Sequence, residues 1–87
     1  MIPLAWREIE ALRLGDLHGG DAEVSRIEAD SRAVGPGDLF VALNAGVDFV
    51  GDARARGAAT LVPDDQEDAL AALASLVRSK RDRKSVV

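Results

Sequence analysis

The 87-residue sequence contains no cysteine and a single histidine, His18, and its aromatics are limited to Trp6, Phe40 and Phe49. Without cysteine, disulfides, zinc–thiolate centres and thiol nucleophiles are excluded. A lone histidine beside Gly19-Gly20 has no ligand or catalytic partner at a useful spacing, so it reads as a turn residue. With so few aromatics, the core has to be built from Leu, Val, Ile and Ala. No apolar run reaches the length of a membrane-spanning helix, and the N-terminus lacks the basic-then-apolar layout of a signal peptide. A cytoplasmic protein without membrane partners is expected. A phosphate-binding loop ending in Gly-Lys-Ser/Thr is also missing, and Gly35-Pro36-Gly37 does not replace it, because proline removes an N–H that a phosphate cradle uses.

What is present suits one small domain. Hydrophobic residues make up 47% and charged residues 30%, an ordinary soluble composition. A chain of this length buries only about 60% of the surface it exposes when unfolded, so its stability margin is thin. Eleven basic and fifteen acidic residues give a net charge of −4. Five of the basic residues (Arg78, Lys80, Arg81, Arg83 and Lys84) crowd the end against one acid, Asp82, which leaves the remainder at 6 basic and 14 acidic. So acidic a body repels polyanions and argues against a nucleic-acid partner. The basic run reads as a solvated helix end and linker, with cations at the negative end of the helix dipole. The expected division is a domain over 1–77 and a basic linker over 78–87.

Hydropathy then suggests the elements. Trp6, Ile9 and Leu12 share a face, so residues 1–14 are expected to form a helix with Pro3 in its first turn. Leu17-His18 reads as a short extended piece and residues 23–29 as a strand around Val24 and Ile27. Gly35-Pro36-Gly37-Asp38 is a turn. The unbroken apolar run from Leu39 to Leu43 predicts a strand covered on both faces. A loop at Asn44-Ala45-Gly46, a helix over 47–56 ended by Gly57 and a strand over 58–62 follow. Pro63-Asp64-Asp65 opens a last helix, in which Leu70, Leu73, Ala74 and Val77 keep the i, i+3, i+4, i+7 spacing. Ser85-Val86-Val87 reads as the start of another strand. The pattern predicts an α/β fold, a small mixed β-sheet flanked by helices.

Asp30-Ser31-Arg32 is the polar cluster of most chemical interest. A hydroxyl and a guanidinium fork at a strand end suit a phosphate or a uracil edge, and glycines at 35, 37 and 46 permit close approach of backbone to a ligand. The same residues also suit a plain turn, with Asp30 capping neighbouring N–H groups and Arg32 paired to a carboxylate.

The 14-residue run from Asp30 through Gly37-Asp38-Leu39-Phe40-Val41-Ala42-Leu43 resembles the signature of the N-terminal domain of the MurE and MurF ligases. Phe49-Val50 with Ala53, and Gly57-Ala58-Ala59, resemble further family segments in the same order. The opening Met1-Ile2-Pro3-Leu4 and Leu17-His18-Gly19 resemble MurF more than MurE. The resemblance implies one domain of an ATP-dependent peptidoglycan-precursor ligase that, in the MurF type, adds D-alanyl-D-alanine to a UDP-N-acetylmuramoyl tripeptide. Ser31 then contacts the uridine diphosphate, Ala29 lines the same pocket through its backbone, and Asn44, Ala45 and Gly46 close over the uridine. Asp30, Arg32 and Gly37 shape the turn. No catalytic or metal-binding residue is implied here. ATP and magnesium are expected in a central domain whose phosphate loop would begin where the sequence ends at Val86-Val87, and a C-terminal domain would bring the amine. The resemblance thus implies a truncated product or fragment, inactive alone, with UDP-N-acetylmuramoyl peptide and the other ligase domains as partners. A MurE-type ligase, or a free-standing nucleotide-sugar-binding or interaction module, is the alternative.

Overall fold

A computed structural model describes residues 3–20 and 23–85, with backbone alone at 45 and 81–85. The strands are β1 (Leu4–Ala5), β2 (Gly15–His18), β3 (Glu23–Val24), β4 (Arg26–Glu28), β5 (Asp38–Val41) and β6 (Ala59–Pro63). The helices are α1 (Trp6–Leu12), α2 (Val50–Ala55) and α3 (Gln66–Ser85), with 3-10 turns at Ser31–Ala33 and Asn44–Phe49. Four strands form a sheet in the order β2-β6-β5-β4, in which β4, β5 and β6 run parallel and β2 antiparallel; β1 and β3 make a separate antiparallel pair.

The alternation along β5 explains the layers. Leu39 and Val41 belong to one core with Leu4, Ile9, Val24, Leu61 and Leu73, which covers the sheet with α1, α3 and the β1–β3 pair. Phe40 and Ala42 point the other way, into a smaller core with Val34, Ala53 and Ala58 beneath α2. All four β5-run residues from Leu39 to Ala42 are buried, so the expected two-sided covering of this strand is observed, and with it the expected mixed sheet between helices.

Three local expectations need correction. The first helix does not begin at the N-terminus: Leu4–Ala5 pairs with Glu23–Val24, and the helix starts at Trp6, where Glu8 Oε1 accepts the Ala5 N–H at 3.3 Å. Leu4 and Val24 both sit fully inside the core, and this long-range pairing prevails over helical spacing that local pattern suggested. Pro3 therefore precedes a strand rather than opening a helix; Met1 and Ile2 lie outside the described residues. The strand expected over 23–29 is two strands, broken at Ser25, whose N–H donates to Gly37 O at 2.7 Å as the chain passes from one sheet to the other. The helix expected over 47–56 is a 3-10 turn from Asn44 followed by α2 from Val50.

The helix stops and starts follow side-chain chemistry. Gly57 follows α2 with φ +90°, a conformation glycine adopts without a Cβ clash. Asp65 Oδ1 accepts the Asp68 N–H at 3.0 Å at the start of α3. Helix α3 runs on through the basic residues to Ser85, which is thus helical rather than the opening of a strand; Val86 and Val87 lie outside the described residues.

Candidate functional site

Parallel strands in open α/β sheets present their carboxyl ends to a crevice where ligands bind. Here β4 delivers Ala29, Asp30, Ser31 and Arg32 at that edge, and its neighbour β5 delivers Leu43, Asn44, Gly46 and Phe49. These eight residues and Phe40 line one cavity of about 500 Å³.

The first wall is a tied turn. Asp30 Oδ1 accepts the Arg32 backbone N–H at 2.9 Å, and its carboxylate also pairs with the Arg32 guanidinium at 3.2 Å. The Ala33 N–H donates to Asp30 O at 3.0 Å. The guanidinium bonds, with the backbone N–H, hold the Asp30 carboxyl below the usual carboxylate range and raise Arg32 in turn. Asp30 and Arg32 thus shape the bend, while the exposed Arg32 side chain still borders the cavity. Behind it, Gly35-Pro36-Gly37-Asp38 turns with Gly37 at φ +89° and the Asp38 N–H donating to Gly35 O at 3.1 Å, the pattern of a Pro-Gly type II turn. Arg26 clamps this turn from β4, donating to Ala33 O and to Asp38 Oδ2. Gly37 acts in this turn and does not line the cavity.

Ser31 sits between the clamped turn and the second wall. As a residue it is 7% exposed. Among the described residues its hydroxyl makes no intramolecular hydrogen bond, yet no fully buried side-chain oxygen is left without a partner. Ser31 thus lines the cavity with a hydroxyl that no described protein group engages.

The second wall is the turn Asn44–Phe49. Asn44 adopts φ +53°, which asparagine tolerates better than most residues, and the Gly46 N–H donates to Leu43 O at 2.7 Å. At Gly46 the Cβ position faces Phe40 Cζ at 3.5 Å. Ala45 lies in the same turn, with its side chain outside the described atoms. Phe49, 52% exposed, stands at the rim.

Ala29, Ser31, Asn44 and Gly46, distant in sequence, are thus gathered in one groove. Sequence reasoning passed over Phe40, Leu43 and Phe49 as lining residues. Two of the chain's three aromatics meet here, and that scarcity was the one available signal. Hydroxyl, amide and guanidinium beside the exposed Phe49 ring form a surface suited to a planar heterocycle joined to an anionic group. Among the described residues no group of three or more His, Asp or Glu is placed to hold a metal ion, and no helix is long and apolar enough to cross a membrane.

No protein-family model matches the chain. It is 46% identical over 61 residues to a UDP-N-acetylmuramoyl-L-alanyl-D-glutamate--2,6-diaminopimelate ligase of Streptomyces coelicolor, a match spanning 66% of this chain and 12% of that ligase. Among solved structures, it resembles MurF from Acinetobacter baumannii with a TM-score of 0.70 and 26% identity, over 90% of this chain and 22% of that one. A second structure, a UDP-N-acetylmuramoylalanyl-D-glutamyl-2,6-diaminopimelate--D-alanyl-D-alanyl ligase of the same organism, gives 0.69 at the same identity and coverage. The chain therefore spans between about an eighth and about a fifth of the ligases it matches. In sequence and in fold these 87 residues are similar to the N-terminal domain of the MurE/MurF-like Mur ligases.

Proposed function

We propose that the domain holds the uridine diphosphate end of a UDP-N-acetylmuramoyl-peptide substrate for a Mur amide ligase. The observation that carries this is the single groove that joins Ser31, whose hydroxyl has no partner among the described residues, to Asn44, Gly46 and the Phe49 ring. In this reading Ser31 donates to a diphosphate oxygen or the uridine, the backbone at Ala29 and the turn 44–46 close around the nucleoside, and Arg32 adds positive charge at the rim. No residue in the groove has the pairing of nucleophile and base that bond-making requires. The domain's contribution is grip on a remote part of the substrate, which helps fix the reacting carboxylate elsewhere. ATP and magnesium belong, in this proposal, to a further domain that supplies the acyl-phosphate chemistry.

The MurF type, adding D-alanyl-D-alanine, is favoured by the opening Met1-Ile2-Pro3-Leu4 and by the structural likeness at 90% coverage. The MurE type has its own support in the 46% identity to a diaminopimelate-adding ligase. Assaying a complete ligase carrying this segment with both amines separates the two.

Calorimetry on the 87-residue chain tests the binding reading. UDP and the UDP-N-acetylmuramoyl peptide are expected to bind weakly and competitively, and ATP not at all. Ser31→Ala should weaken UDP binding by roughly 3- to 10-fold, the worth of one neutral hydrogen bond. Equal affinity in the alanine variant removes Ser31 from the site; no heat with either uridine ligand rejects the reading.

A further inference from the structure

Among the described residues the exposed large hydrophobics are Val47, Phe49 and Leu70. The first two belong to the turn that walls the nucleotide groove. Leu70 does not. It lies on α3 and lines a separate hollow of about 370 Å³ with Ile27, Leu73, Ala74, Val77 and Arg78. Ile27 is the middle residue of β4, the outermost strand of the four-stranded sheet, which among the described residues pairs there with β5 alone. An open strand edge and an uncovered helix face therefore adjoin one another.

We propose that this face binds a second copy of the chain, about a two-fold axis passing beside Ile27. The charges on both layers are self-complementary for that arrangement. In the sheet layer, β4 reads Arg26-Ile27-Glu28. Antiparallel pairing of two such edges about Ile27 sets Arg26 of each copy opposite Glu28 of the other, a favourable cross-strand pair. Arg26 retains 54% side-chain exposure, but its guanidinium is held on the β5 side by Asp38 and Ala33 O, so this pair acts as a longer-range attraction and the helix layer supplies the direct ion pairs. In the helix layer, the same axis runs the two α3 helices antiparallel on one face of the joined sheet. Setting Leu70 of one copy over Ala74 of the other brings Glu67 level with Arg78 of the second copy, to within about one helical rise of 1.5 Å. Glu67 and Arg78 have no ion-pair partner among the described residues. A two-fold contact repeats each complementary pair twice. The apolar centre (Ile27, Leu70, Ala74 and Val77) is closed to water, and the charges form the rim.

A contact of one short strand and one helix from each copy is at the small end of specific interfaces, so a dissociation constant of about 10–500 µM is expected. Sedimentation equilibrium on the 87-residue chain from about 10 µM to 1 mM covers that range. The chain should shift from monomer to dimer, not to larger species. Leu70→Glu should raise Kd at least about tenfold, a loss of 1.4 kcal/mol or more, with helical content and amide dispersion unchanged because the residue is exposed. Glu67→Arg and Arg78→Glu should each weaken the dimer by about threefold, and the double variant should recover to within about twofold of the parent. A chain that stays monomeric at about 1 mM overturns the proposal and leaves the face to another occupant. A dimer indifferent to Leu70→Glu, or charge variants without recovery in the double, also overturns it.

Discussion

At the level of single residues, Asp30 and Ser31 divide the labour of one bend. Asp30 fixes it, and Ser31 is presented by it. The Asp30 carboxyl is held below the usual carboxylate range chiefly by its hydrogen bonds to Arg32. A carboxyl depressed by folding adds stability above its unfolded value, about 4, and that contribution disappears as pH falls through the folded value. In a carbon-detected titration Asp30 should therefore ionise below the ordinary aspartate value, and Asp30→Asn should erase that acid-side transition. Titration of Asp30 at the ordinary aspartate value contradicts the tied-turn geometry. A second residue-scale case is Gly15, where an added Cβ falls onto the backbone of Val62 and Pro63 in the paired strand. Gly15→Ala should cost about 1–3 kcal/mol, seen as a lowered chemical-denaturation midpoint, because β2 has to move away from β6.

Among the elements, the contrast between what local pattern predicts and what forms is instructive. Helix α3 was legible because its apolar positions repeat with helical spacing, and its start because Asp65 precedes the repeat. Asp65→Ala should lower thermal stability by about 0.5–2 kcal/mol, the usual worth of a capping side chain. An unchanged melting temperature would show that the Asp65 bond to the Asp68 N–H adds nothing. Strand β5 was legible because both of its faces are buried, so no polar residue interrupts it. The β1–β3 pair was not legible: two residues from each segment meet only through long-range contact of Leu4 with Val24, and two-residue strands carry no periodicity. The break at Ser25 was hidden for the same reason, since its cause is Gly37, twelve residues on.

For the molecule as a whole, the sheet order decides where a ligand can sit. Placing β4 beside β5 in parallel makes their carboxyl ends neighbours, and this alone converts two separated motifs, 29–32 and 43–49, into a groove. Of its lining, the polar members were readable from the Asp-Ser-Arg run and the glycine-bearing loop. Phe40, Leu43 and Phe49 were assigned to strand and helix faces, because sequence spacing cannot tell a core-facing ring from a ring at a rim. The groove offers a hydroxyl, an amide, a guanidinium and an exposed ring at one sheet edge. The work proposed for it is therefore retention of a nucleotide handle.

The most direct measurement is an amide nitrogen–proton correlation spectrum of the 87-residue chain titrated with UDP. Saturable amide shifts confined to residues 29–32 and 43–49 are the result this account predicts. Shifts centred elsewhere, or a spectrum unchanged at about 10 mM UDP, well beyond a dissociation constant of about 1 mM, would contradict it.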